Sequence, residues 1–86
     1  MSGETVVVDS AAVWPADSDD VEEAIVSNWF VHEGTAVTEG EPIAEIQIEK
    51  VSIDVPAPTT GEVAEIVIDE QDEFQRGDVL ARVSPV

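Results

Sequence analysis

The chain is a series of short stretches in which apolar and polar residues alternate, with glycine or proline between most of them. Such alternation over four to eight residues is typical of half-buried β-strands. No segment keeps a helical period over ten residues. We therefore predict an all-β domain, a sandwich or flattened barrel. The predicted strands are Thr5–Asp9, Ala24–Val31, Ile43–Glu49, Val51–Val55, Glu62–Asp69 and Val79–Val83.

An internal repeat with an offset of 37 positions divides the domain into two similar halves. The segment beginning at Trp29 recurs as the segment beginning at Ile66, and Gly40 recurs as Gly77. Four further pairs have the same offset: Val37 with Phe74, Ile43 with Leu80, Ala44 with Ala81 and Ile46 with Val83. Two such halves predict pseudo-twofold packing, in which each half covers the apolar face of the other. A hairpin at residues 43–55 is expected to be an extra piece that only the first half carries.

The register of this hairpin follows from its pattern. With Glu49 and Lys50 at the turn, residues whose numbers sum to 99 face each other. This places an apolar set on one face and a polar set on the other. The apolar pairs are Ile48 with Val51, Ile46 with Ile53 and Ala44 with Val55; the polar pairs are Gln47 with Ser52 and Glu45 with Asp54. Neither turn residue is Asn or Gly, so we expect a type I turn, which needs no positive φ.

Lys50 is the only lysine in the chain, and it falls at this turn. A chain that has discarded every other lysine but keeps one at a hairpin tip is expected to use its amine. We therefore predict that Lys50 is a covalent attachment point. The alternative is an ordinary exposed turn residue.

Composition limits the other possibilities. The 86 residues make one small domain without cysteine, and no stretch approaches the ~20 apolar residues of a membrane span. The chain has 20 acidic against 3 basic residues, a formal charge of −17. Such a domain repels nucleic acid and anionic membranes, so neither is an expected partner. We expect a cytoplasmic protein adapted to molar salt, which screens the self-repulsion; an ordinary acidic partner-binding protein is the alternative.

Several motifs, in order and spacing, resemble the lipoyl domains of 2-oxoacid dehydrogenase complexes. The family hairpin Glu-Thr-Asp-Lys-Ala/Val, followed by Val-Pro-Ala/Ser-Pro, corresponds to Gln-Ile-Glu-Lys-Val at residues 47–51 and Val-Pro-Ala-Pro at residues 55–58. Trp-Phe-Val-His-Glu-Gly at residues 29–34 is similar to the family's Trp-Leu-Val-Lys-Glu-Gly. Residues 40–46 and 77–81 also match family patterns. The likeness covers about residues 5–86, and we predict one lipoyl-type domain over 1–86, either free-standing or part of a larger protein.

The resemblance implies a barrel-sandwich hybrid of two four-stranded sheets, with lipoate joined to Lys50 by an amide bond. Glu49 would be read by the attaching enzyme or orient the lysine, while Ile48 and Val51 would hold the turn rigid. The domain would be a non-catalytic carrier. Its implied partners are a lipoate-attaching enzyme, a thiamine-dependent decarboxylase, an acyltransferase and a flavin-dependent dihydrolipoyl dehydrogenase. Ile48 and Glu49 depart from the family's Thr and Asp.

Other functions stay open at this point. Biotinyl domains share the fold but usually carry Met-Lys-Met, and no methionine flanks Lys50. An unmodified interaction module on the same fold and a glycine-cleavage carrier are further alternatives. The acidic segment 17–23 superficially resembles a calcium loop but has Glu22 where that loop needs glycine, so we predict no metal site. The single histidine, His32, is expected to be solvated, and no catalytic residues are predicted.

Overall fold

The computed structural model describes residues 4–86 as eight strands and two short 3-10 turns, at Ser10–Val13 and Ala16–Ser18. Residues 1–3 of the predicted domain 1–86 lie outside the described part. The strands are β1 (Val6–Asp9), β2 (Glu23–Trp29), β3 (Ala36–Val37), β4 (Pro42–Ile48), β5 (Val51–Pro56), β6 (Gly61–Ile66), β7 (Glu73–Gln75) and β8 (Val79–Pro85). They form two four-stranded sheets, ordered β1-β8-β6-β3 and β5-β4-β2-β7. The predicted all-β fold is confirmed.

The core lies between the two sheets and is made of small and branched apolar side chains. Eight strand residues are fully inaccessible: Val26, Ile43, Ala44, Ile46, Val55, Leu80, Ala81 and Val83. Trp14 and Trp29 pack against this core from its margin. No helix among residues 4–86 is long and apolar enough to cross a lipid bilayer.

The pseudo-twofold relation is confirmed in detail. Val26 pairs with Ile46 just as Val63 pairs with Val83, and both ladders shift register directly afterwards. Each half also contributes one short strand to the sheet of the other half, since β3 pairs with β6 and β7 pairs with β2. The 37-residue offset therefore reflects a real structural repeat.

Two carboxylates join the halves reciprocally. The Glu33 carboxylate accepts a hydrogen bond from the Ile66 N–H at 2.9 Å, and the Glu70 carboxylate accepts one from the Trp29 N–H at 3.0 Å. The two contacts are equivalent under the repeat, because Glu70 lies 37 positions after Glu33 and Ile66 lies 37 positions after Trp29. The segment 69–73 thus contains a residue that satisfies a backbone donor of the opposite half.

Two details of the sequence prediction were wrong. The short strands β3 and β7 were missed, because each has only one buried side chain, Val37 or Phe74, and too few residues to show alternation. The hairpin is also not an extra piece. β1 lies on β8 as β5 lies on β4, with Val8 opposite Ala81 as Val55 is opposite Ala44. Among residues 4–86, the turn that connects β4 to β5 has no counterpart, and neither do the two 3-10 turns between β1 and β2.

Candidate functional site: the lysine hairpin

The turn between β4 and β5 carries Lys50, which is exposed. Every predicted cross-strand pair of the hairpin is present, from Ile48 opposite Val51 to Ala44 opposite Val55. The register is fixed because a slip of one residue would expose the buried set of β4. The alternation of buried and exposed residues in β4 and β5 therefore fixes the two-residue turn at Glu49 and Lys50.

The turn itself is not type I as expected, because Glu49 has φ +54°. For a residue with a side chain, this left-handed conformation costs about 1–2 kcal/mol. The Gln47 side chain compensates: its Nε2 donates a hydrogen bond to the Glu49 carbonyl oxygen at 2.9 Å. A hydrogen bond of this kind contributes about 0.5–1.5 kcal/mol net. The two effects are of similar size, so the side chain of Gln47 helps decide the shape of the turn.

Ile48 and Val51 were both expected to hold the turn rigid, and only Ile48 is placed to do so. Ile48 is 1% exposed, whereas Val51 is 46% exposed. Val51 faces Ile48 across the ladder, but its side chain is not covered by the core. The anchor of the turn is therefore on its β4 side, and Val51 is part of the accessible surface next to the lysine.

Carboxylates surround the base of the turn on the outer face of the sheet. Glu23, Glu49 and Glu73 line one open groove there, together with Gln47. Among residues 4–86, ion pairs are formed by Arg76 and Arg82, and none by the Lys50 amine. The amine is thus free to reach a partner, while any partner that approaches along this groove meets negative charge.

The remaining candidates lie apart from the hairpin. His32 is exposed and lines a different groove, with Trp29, Glu33 and Glu70. In the acidic segment 17–23, Asp19 and Glu22 bind the Arg76 guanidinium, which also lies over the ring of Trp14. These contacts hold the 3-10 segment onto the domain.

Gln47 is the residue that the sequence analysis missed at this site. Its pairing with Ser52 was predicted, but its hydrogen bond to the turn was not. The sequence did contain a signal for this hydrogen bond. Gln47 lies on the polar face of the hairpin, two residues before Glu49, and the adjacent turn has neither Asn nor Gly.

A two-sheet scaffold that presents one lysine on a fixed hairpin turn has the form of a carrier domain for a covalently attached group. The comparisons with known proteins agree: the chain belongs to the biotin/lipoyl attachment family, whose model, described as "Biotin-requiring enzyme", matches residues 12–83. It resembles the solution structure of the lipoyl domain of the 2-oxoglutarate dehydrogenase complex from Azotobacter vinelandii, with a TM-score of 0.68 and 27% identity over 94% of this chain and 95% of that one.

Relatives of known function are much longer. The chain is 36% identical to the dihydrolipoyllysine-residue succinyltransferase component of the 2-oxoglutarate dehydrogenase complex of Bartonella vinsonii. It is 33% identical to the lipoamide acyltransferase component of the branched-chain alpha-keto acid dehydrogenase complex of Bacillus subtilis. Each match covers 69 residues, which are 80% of this chain but only 17% and 16% of those proteins. The similarity therefore concerns one domain of each relative.

Proposed function

We propose that Lys50 carries lipoate and that the domain acts as a swinging-arm carrier in a 2-oxoacid dehydrogenase system of the cytoplasm. The observation that carries the proposal is the exposed, unpaired Lys50 amine at the turn of a register-locked hairpin. The similarity to lipoyl domains and the absence of methionine beside Lys50 favour lipoate over biotin.

The residues at the turn fit an amide-linked arm. In the attachment step, the Lys50 amine would attack the carboxyl carbon of adenylate-activated lipoate, so that an amide forms while AMP and a proton leave. Ile48 would keep the turn from moving, and Glu49 would be contacted by the attaching enzyme. When bound, the lipoyl group supplies the dithiolane chemistry of acyl transfer and redox.

The role of the protein is then to place the arm rather than to catalyse. Tethering gives the attached group a local concentration on the order of mM near each partner active site. The proposed partners are the lipoate-attaching enzyme, a thiamine-dependent decarboxylase, an acyltransferase and a flavin-dependent dihydrolipoyl dehydrogenase. The exposed Val51 and the acidic groove would be the surfaces that these enzymes contact.

We further propose that the protein works in concentrated salt. None of its 20 carboxylates is buried, and among residues 4–86 only Asp19, Glu22 and Glu65 form ion pairs. The uncompensated charge is therefore spread over the surface, where dissolved cations can screen it.

Intact-mass measurement with peptide mapping tests the attachment. The protein isolated from its own host, or treated with a lipoate-protein ligase, lipoate and ATP, should gain the mass of one lipoyl group on Lys50. The variant Lys50→Arg keeps the charge and the fold but should gain nothing. A biotinyl group on Lys50 would replace the proposal with carboxylase chemistry. An unmodified Lys50, in cells that lipoylate other proteins, would contradict it.

A further inference from the structure

The peptide between Glu49 and Lys50 is held from one side by a side chain. Its carbonyl oxygen belongs to Glu49 and accepts the Gln47 Nε2 hydrogen bond, and its nitrogen belongs to Lys50. The plane of this peptide sets the position of the Lys50 N and Cα atoms, and hence the point from which the lysine side chain leaves the turn. Gln47 is therefore coupled to Lys50 through one rigid unit.

The coupling matters because the turn has alternatives. Glu49 stands at φ +54°, where residues other than glycine are uncommon, and the sequence pattern alone favoured a type I turn. Without the donor from Gln47, the left-handed conformation loses its compensating contact. Gln47 lies in the ladder between Ile25 of β2 and Ser52 of β5, so its backbone is fixed while its amide reaches the turn.

Gln47 departs from the family hairpin pattern given above. The hairpin motif of the resembling domains has Glu where this chain has Gln47. A carboxylate can only accept, so Glu could not donate to the Glu49 carbonyl.

We infer that Gln47 is a positioning residue: its side-chain amide selects the left-handed turn at Glu49 and so presents Lys50 in the orientation that the attaching enzyme accepts. The inference rests on the proposed function for its enzymatic consequence, but its conformational part stands independently. If the competent turn is only partly populated, the apparent affinity of the ligase falls by that fraction while the bound complex reacts as before.

The test compares Gln47→Met in two backgrounds, the wild type and Glu49→Gly. Methionine is close to glutamine in shape, carries no charge and cannot donate, and Glu49→Gly removes the cost of positive φ. In the wild-type background, Gln47→Met should raise the KM of a lipoate-protein ligase for the domain about five-fold, with kcat changed by less than about two-fold. In the Glu49→Gly background, the same change should alter KM by less than about two-fold. Gln71→Met, which removes an amide that donates to the Ser27 carbonyl oxygen and not to the turn, should leave both constants at their wild-type values.

A spectroscopic measurement separates this inference from the proposed function. In the NMR spectrum, a residue with positive φ gives a strong NOE between its own amide and Hα protons. Glu49 should show it in the wild type and lose intensity in Gln47→Met, even if no ligase ever modifies Lys50. An undiminished NOE in the variant would overturn the inference. So would an equal rise of KM in both backgrounds, because it would mean that the ligase contacts Gln47 directly.

Discussion

Salt should stabilise this domain strongly, and the effect can be estimated from its size and charge. The radius of gyration is 12.3 Å and the formal charge is −17. For a uniformly charged sphere of radius about 16 Å, raising KCl from 0.1 to 1 M lowers the charging free energy from about 14 to about 6 kcal/mol. The unfolded chain, about 37 Å in radius, gains only about 2 kcal/mol from the same change.

The difference is a stabilisation of about 6 kcal/mol, an upper value because real unfolded chains are more compact. For a domain of 86 residues, it corresponds to a rise in Tm of roughly 20–40 °C. The assay is thermal unfolding followed by circular dichroism at several KCl concentrations. The three exposed ion pairs weaken in salt, but each contributes only about 0–1 kcal/mol, so they do not reverse the sign.

A charge variant distinguishes electrostatic screening from general salting-out of apolar surface. In this variant, Asn or Gln replaces six exposed Asp or Glu residues whose carboxylates accept no hydrogen bond, and the formal charge falls to about −11. Because the stabilisation by KCl scales with the square of the charge, about two-fifths of it should remain. The six are Asp17, Asp20, Glu39, Asp54, Glu62 and Asp72. A Tm independent of KCl in the wild type would refute the argument. An equally large rise in the variant would assign the effect to apolar burial instead.

Three substitutions test the scaffold, each by urea unfolding. Gly61→Ala should destabilise by about 1–3 kcal/mol or more, because the new Cβ would clash with the Ser84 carbonyl oxygen; wild-type stability would contradict the close approach of β6 and β8. Ser10→Ala should cost about 0.5–1.5 kcal/mol, because the Gly77 N–H loses the buried Ser10 hydroxyl as its acceptor; no loss would mean that water replaces the hydroxyl. Ile46→Ala, in the core, should cost about 2–5 kcal/mol, and a smaller loss would indicate that the sheets close over the cavity.

The sequence predicted the parts of the fold that depend on repeated local patterns. The β4–β5 register followed from alternation, and the pseudo-twofold relation followed from matched residues such as Gly40 and Gly77, both of which adopt positive φ. Alternation could not show that β1 takes the place of β5 in the second half, because that equivalence joins distant parts of the chain. Nor could it show the turn conformation, which depends on one side-chain hydrogen bond from Gln47.

The symmetry explains how the domain can keep a strained turn at its site. The reciprocal contacts of Glu33 and Glu70 and the short strands that pair across the two halves are distributed over the domain, so the contacts that join the halves lie away from residues 49 and 50. A left-handed Glu49 costs little against a core in which Ile43, Ile46 and Leu80 are fully buried. The β4–β5 turn, which has no symmetric counterpart, is therefore a place where the sequence can serve presentation of Lys50 rather than stability. For this reason, substitutions at the turn should change modification before they change Tm, and substitutions in the core should do the reverse.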